Sequence, residues 1–329
     1  MKLARRLGTL ALLAIAAAAW CGWRLSRPYQ SFGAETFVEF PRGTGSRALA
    51  TALANAGVIR SRWDFLLARA LSPGRVLRAG EYRFRQPASP WDVFDRIARG
   101  DVFYYALAVP EGKNMFDIAA AAANLGLFTA PEFLDAARDP SLIRDLDPEA
   151  PSLEGYLFPS TYHVGRHTTA AALCRMMTLR FREAWSHLDG AAAVHRTVTL
   201  ASLVEKESRL PAERPRVAAV FTNRLRLGMT LDCDPSTIYA ALEEQRYRGT
   251  IHRSDLASGN PYNTYRHAGL PPGPIANPGL DALRAALAPA DTDALYFVLR
   301  PDGSGAHQFS NNITDHQSAV ALYRRAQRK

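Results

Sequence analysis

The sequence predicts an α+β protein carried behind one N-terminal membrane helix. Three observations lead there. An uncharged run, Leu7–Trp23, stands at the start; a strand–turn–helix plan occurs twice between residues 37 and 128; and the remainder alternates helical patterns with a long Pro/Gly/Asn-rich segment and a late strand. The expected organisation is residues 1–28 for a cytoplasmic tip and membrane helix, 29–150 for an α+β module with connecting helices, and 151–329 for a second α+β domain.

The membrane helix rests on its flanks. Lys2, Arg5 and Arg6 precede the uncharged run, and Arg24 and Arg27 close it. Its length is at the short end for a span. The small residues Ala16–Ala19 offer the alternative of a cleaved signal peptide. Trp20 and Trp23 at the outer end read as an interfacial anchor and favour a retained single-pass helix. Residues 28–329 are then exported. Cys21 is preceded by Trp20, which spoils a lipoprotein site, and the pairing of Cys174 with Cys233 is left open by their spacing.

Composition bounds the rest. The 329 residues are 47% apolar and 22% charged, which argues against long disorder. A net charge of +9 and a pI near 9.7 suit nucleic acid, a membrane surface or an anionic polymer. The arginines are scattered, and neither a zinc spacing nor an aromatic RNA-binding signature is present, so nucleic acid is not expected as a partner.

The internal echo defines the first module. "VEFPRGTGSRALATALANAGVI" (38–59) and "LAVPEGKNMFDIAAAAANLGLF" (107–128) share a short apolar strand, Pro-x-Gly, a helix, and Ala-Asn-x-Gly. Pro41 matches Pro110, Gly43 Gly112, Asn55 Asn124 and Gly57 Gly126, all offset by 69 positions. Gly57 and Gly126 fall where a helix end favours a left-handed residue. A helix over Trp63–Leu71 and a strand at Tyr82 and Phe84 complete a β-α-α-β order. Ser89-Pro90 opens another helix, with serine as cap and proline first, and Gly100 ends it. Residues 129–150, polar and rich in Asp and Pro, read as a connection.

Beyond "LEGYLFPSTY" (153–162), a helix is expected over 168–188, then one carrying "ASLVEKESRL" (201–210), then one over 214–229 with Val217, Val220 and Phe221 on one face and Gly228 as its stop. "NPYNTYRHAGLPPGPIANPG" (260–279) is too rich in breakers for regular structure, and so long an ordered loop is usually functional. A helix (Leu280–Leu287), a strand (Ala294–Leu299), a turn at Asp302-Gly303 and a last helix follow.

The two glutamates of 201–210 differ by helical face. Leu200, Leu203 and Val204 form a stripe, and seven residues on from Leu200 lies Glu207. Glu205 falls on the other side with Ser202 and is expected in water. A carboxyl at the end of an apolar stripe has a raised pKa and can donate a proton near neutral pH. The plain alternative is a helix-end residue turned to solvent. No His pair among His252, His267, His307 and His316 has zinc-protease spacing, so neither a metal nor another cofactor is expected, and no nucleophile elbow is present.

Taken in order, "EKES", "FTNRL", "CDPSTIYA", "NPYNTYRHAGLPPGPIANPG", "LYFV" and "HQFSNNITDH" resemble the YceG-like (MltG) family of endolytic murein transglycosylases. The resemblance spans nearly the whole chain and is strongest from Leu153 to His316. It implies a LysM-like module at the front and a lytic transglycosylase domain behind it. It implies cleavage of the peptidoglycan MurNAc–GlcNAc bond without water, leaving a 1,6-anhydro end, with Glu207 as the catalytic residue. A role in terminating or trimming strand synthesis at the inner membrane, with the catalytic domain in the periplasm, goes with it. The implied partners are glycan strands and peptidoglycan synthases. Two departures stand out: Ser160 where Asp is frequent, and Cys233 where Gln or Ser is usual, neither expected to touch the acid. Asn223, Asn263 and Tyr265 are candidate sugar contacts; a helix-end cap, loop-internal bonds and packing are their respective plain readings. Asp234 is the candidate second carboxylate of a muramidase-type hydrolase, or a turn former ahead of Pro235. A non-catalytic peptidoglycan-binding scaffold is the remaining rival.

Overall fold

Helix α1 (Lys2–Ser26) runs unbroken through the apolar segment, and its Arg6–Ser26 stretch is long and apolar enough to cross a membrane. The computed structural model describes residues 2–188 and 193–327; the side chains of Lys2 and Arg5, used above as charge flanks, lie outside those described. The chain divides into two compact units, Met1–Tyr105 and Ala106–Lys329.

In the first unit the β-α-α-β order is β1 (Thr36–Phe40), α2 (Ser46–Asn55), α3 (Arg62–Ala70) and β2 (Gly80–Phe84), followed by α4 (Pro90–Arg99). β1 and β2 pair antiparallel, with Val38 opposite Tyr82. Their inward side chains join Leu49, Leu53, Phe65, Phe94 and Ile97 in one core, to which Leu25 at the end of α1 also belongs. Ser89 and Asp92 form a capping box on α4, and Gly100 ends it at φ 75°.

The second unit opens on the second copy of the echo. β3 (Tyr105–Val109) and α5 (Met115–Asn124) lie 69 positions after β1 and α2, residue for residue. α6 (Ala130–Arg138) follows, and β4 (Ser160–Val164) pairs with β3, so the β-α-α-β order is repeated in full. Residues 129–150 are therefore not simply a connection. Thr129 and Glu132 make a capping box and Pro131 sits in the first turn, which starts α6 despite its polar composition. The second copy belongs to the same unit as Glu207, whereas the sequence reading grouped it with the first copy up to residue 150.

Next come α7 (Ala170–Ser186), α8 (Val194–Glu207), α9 (Arg214–Arg226), α10 (Asp234–Glu243) and the short α11 (Arg253–Leu256). α12 (Leu280–Leu287), β5 (Tyr296–Leu299), β6 (His307–Ser310) and α13 (Ile313–Gln327) complete the unit. α8 packs against α9, α10 and α12, and every residue from Thr197 to Val204 is buried. A helix enclosed on all sides has no water face. The expected division of its two glutamates into a wet and a dry one consequently does not hold. Glu205 is 5% exposed at its side chain, accepts Arg214 Nη2 at 2.7 Å and takes the Gly279 N–H at 3.0 Å.

The 260–279 segment is irregular and largely buried from Pro271 to Gly279. It is held by side chains rather than by a ladder. Asn277 is fully buried; its Nδ2 donates to Lys113 O at 2.9 Å and Glu154 Oε1 at 2.8 Å, and its Oδ1 accepts Leu157 N at 2.8 Å. Gly112 N donates to Asn277 O at 2.9 Å, so the turn of the second echo copy is bonded to the loop. Gly155, at φ 89°, is needed where the loop passes: a Cβ there would lie 2.4 Å from the Pro274 ring.

Candidate active site

Glu207 is the last residue of α8, half-buried at the wall of a cleft of about 410 Å³. Leu200, Leu203 and Val204 behind it are at most 4% exposed, as the stripe predicts. Burial raises the Glu207 pKa above the usual carboxylate range, a hydrogen bond from Cys233 pulls it down, and the charge of Asp234 raises it further. The group is thus disposed to hold its proton.

Cys233 corrects one expectation. Its thiol donates to Glu207 Oε1 at 3.1 Å, so this departure from the family pattern does touch the candidate acid. Cys233 is 1% exposed, and burial, with the Glu207 charge, pushes its thiol well above the ordinary value. It remains a neutral donor, not a second anion. The Cys233 backbone is pinned by Thr264 Oγ1, which accepts its N–H at 3.0 Å, and by Ser236 Oγ, which donates to its carbonyl at 2.7 Å. The three cysteines are free, so Cys174 and Cys233 do not pair.

Asp234 and Tyr265 line the same cleft. Asp234 opens α10, and its Oδ1 accepts the Tyr265 hydroxyl at 2.6 Å. Burial, then this bond, raise the Tyr265 pKa, so the phenol stays protonated. Asn263 and Asn223 are placed differently. Asn263 is fully buried; its Nδ2 donates to the carbonyls of Asp255, Leu256 and Ser258, and its Oδ1 accepts from Thr237 and from Tyr265 N. Its amide is consumed in shaping the loop that presents Tyr265. Asn223 lies outside the cleft and donates to the carbonyls of Thr292 and Ala294, fastening α9 to the approach of β5.

The cleft is also lined by Arg224, Tyr296 and His316, residues that the sequence reading did not place in the site. Arg224, from "FTNRL", donates to the carbonyls of Leu295, Leu231 and Thr230 and to Asp232 Oδ2, and lies 5.0 Å over the Tyr296 ring. Tyr296, from "LYFV", stacks on His316 at 5.0 Å. Burial lowers the His316 pKa and Arg224 adds to the effect, which keeps that ring neutral. Asp232 takes a left-handed backbone, φ 51°, a conformation tolerated by Asp and concentrated at functional sites. The stacked rings of Tyr296 and His316 and the Glu207 carboxyl line the same cleft, an aromatic surface of the kind a sugar ring packs on. Among the described residues no group of three or more His, Cys, Asp or Glu side chains is arranged to hold a metal ion.

Known proteins resemble this chain over most of its length. The YceG-like family model matches residues 38–322. A Bacillus subtilis protein named endolytic murein transglycosylase is 30% identical over 309 residues, covering 87% of this chain and 84% of that one. A Streptococcus pneumoniae protein of the same name is 29% identical over 317 residues, covering 86% of this chain and 57% of its own length. A crystal structure of a YceG-like protein from Listeria monocytogenes superposes with a TM-score of 0.56 at 28% identity, over 88% of this chain and 99% of that one.

Proposed function

The chain belongs to the YceG-like family, and from that premise we propose that it is a peptidoglycan lytic transglycosylase with Glu207 as its sole acid and base. The observation that carries the proposal is the desolvated Glu207 carboxyl at the cleft wall, bonded on one oxygen by a neutral thiol. The neutral carboxyl gives its proton to the glycosidic oxygen as the bond from the muramoyl C1 breaks, releasing the GlcNAc-bearing fragment. The muramoyl 6-hydroxyl closes on C1, and its proton passes to the Glu207 carboxylate, which is restored to the acid form. No water enters the products, and the strand is left with a 1,6-anhydro end. Asp234 and Tyr265 bind the sugar as a bonded pair, while Asn263 and Asn223 hold the cleft walls.

The first unit serves as a LysM-like glycan-binding module, a reading supported by its β-α-α-β order with antiparallel outer strands. α1 is a retained single-pass anchor in the inner membrane with residues 28–329 on the periplasmic side, supported by its length, apolarity and terminal tryptophans. Cutting nascent strands there terminates or trims synthesis, which places peptidoglycan synthases among the partners.

The test is mass spectrometry of purified glycan strands after incubation with the chain and with Glu207→Gln. Anhydro-muramoyl ends from the parent and none from the variant are expected; unaltered glycan from both would leave only a binding scaffold. A second reading, a hydrolase of Glu207 and Asp234, draws on Asp234 sharing the cleft. It requires reducing ends and an Asp234→Asn loss as large as that of Glu207→Gln.

A further inference from the structure

We propose that the first unit lies directly on the outer face of the bilayer, with a rim of its own tryptophans and arginines seated among anionic phospholipid headgroups. This rests on the reading of α1 as an anchor. Trp23 closes the apolar run, and Leu25, two residues later, is 6% exposed and part of the first unit's core. Two helical residues rise about 3 Å. The headgroup layer on each side of the hydrocarbon is about 5–7 Å deep. The core of the unit therefore begins within that layer, with no stem to hold it away.

Arg24 fixes which surface faces the lipid. Its Nε and Nη2 donate to Asp64 Oδ1 at 3.0 and 2.6 Å, and Asp64 is 5% exposed in the first turn of α3. α1 also packs on α4, and Pro90 at the start of α4 joins Trp23, Arg27, Tyr29 and Arg60 around one recess with Arg24 and Asp64. The neighbours of Asp64 and Pro90 in sequence, Trp63 and Trp91, are 64% and 38% exposed. Arg27 lies 4.6 Å over the Trp23 ring, Arg60 5.1 Å over Tyr29 and Arg62 4.9 Å over Trp63. Indole rings with guanidinium groups on their faces suit the boundary between acyl chains and phosphates. Arg24 already occupies Asp64, and Asp92 in the first turn of α4 is held by Ser89. Arg27, Arg60 and Arg62 make no ion pair among the described residues, which leaves their charge to lipid phosphate.

The test uses the whole chain reconstituted in vesicles of phosphatidylglycerol and phosphatidylcholine, with bromine on the acyl carbons nearest the headgroup. Trp63 is made the sole tryptophan by Trp20→Phe, Trp23→Phe, Trp91→Phe and Trp185→Phe. Flotation after a carbonate wash first reports anchoring; a chain that washes off refutes the anchor and the docking together. In the anchored chain, Trp63 emission is expected to fall at least twofold against vesicles without bromine. Adding Arg60→Glu and Arg62→Glu should restore most of the emission while the chain stays anchored. Undiminished Trp63 emission from an anchored chain overturns the docking and leaves the anchor standing. If the fourfold replacement does not fold, Trp63→Phe alone in the otherwise unaltered chain should reduce the bromine-dependent loss, and an unchanged loss overturns the proposal.

Discussion

Glu205→Gln is the perturbation that most directly separates the enclosed α8 from a helix with a wet face. On a wet face the change is silent, within about 0.5 kcal/mol. In the structure Glu205 and Arg214 are 5% and 7% exposed at their side chains, 2.7 Å apart, and Arg214 Nε already lacks an acceptor among the described residues. Burial raises the Glu205 pKa while the Gly279 N–H and Arg214 pull it down, so a neutral amide relieves part of the glutamate's own desolvation. It leaves the arginine buried beside weaker acceptors. Removing one partner of a buried pair costs about 3–5 kcal/mol. Here the amide keeps one accepting oxygen, and Glu111, half-exposed at 3.4 Å, still attends Arg214, so about 2–3 kcal/mol is expected. For a unit of this size each kcal/mol lowers the transition by about 2–4 °C, which predicts a fall of roughly 4–12 °C. Trp185, the only tryptophan after residue 105, permits that unit's unfolding to be followed by fluorescence in heat or urea. A Glu205→Gln protein that melts within a degree of the parent would refute both the pair's role and the enclosure of α8.

Three further outcomes follow from the same geometry. Glu207→Gln should lower cleavage by about 10²–10⁴-fold, measured as anhydro-muramoyl ends per unit time, with glycan binding in a pull-down preserved. Cys233→Ala removes a donor that favours the ionised carboxylate, so the Glu207 pKa rises further and the alkaline fall in kcat/KM moves to higher pH; Cys233→Ser should keep the parent profile, and three superimposable profiles would discount the thiol. Glu154 is fully buried, and burial pushes its carboxyl up to about 8. Its folded pKa lies above the unfolded one, so the stability it contributes is complete below the ordinary carboxylate range and declines as pH rises toward 8. Glu154→Gln should flatten that decline in urea midpoints measured from pH 5 to 8, at the cost of the acceptor for Met115 N–H.

What the sequence disclosed and what it hid have a common physical basis. Local signals with a mechanism located their elements closely: Ser89-Pro90 and Gly100 bound α4, and the echo placed β3 and α5. The stripe picked out Glu207 because a helical face is a property of spacing alone. The same spacing says nothing of how many neighbours surround a helix, and so it put Glu205 in water. α6 went unseen because its composition is polar, although Thr129 and Glu132 spelled out its cap. Cys233 and Arg224 meet the cleft through contacts that only the assembled unit creates. Asn263 and Asn223 have the chemistry of sugar ligands, but their amides are spent on carbonyls a few residues or a helix away.

The two copies of the echo have had different fates. The turn of the second is bonded to the loop at Asn277, and the closing strand of that copy, β4, lies beyond Glu154, which Asn277 also holds. For a gene exchanging segments with its relatives, this draws a map of tolerable crossovers. A breakpoint near codon 105 trades the front copy and leaves these bonds with their original partners. One between codons 113 and 153 reunites a foreign turn with a resident Asn277, and its offspring survive only where both parents solved that junction alike.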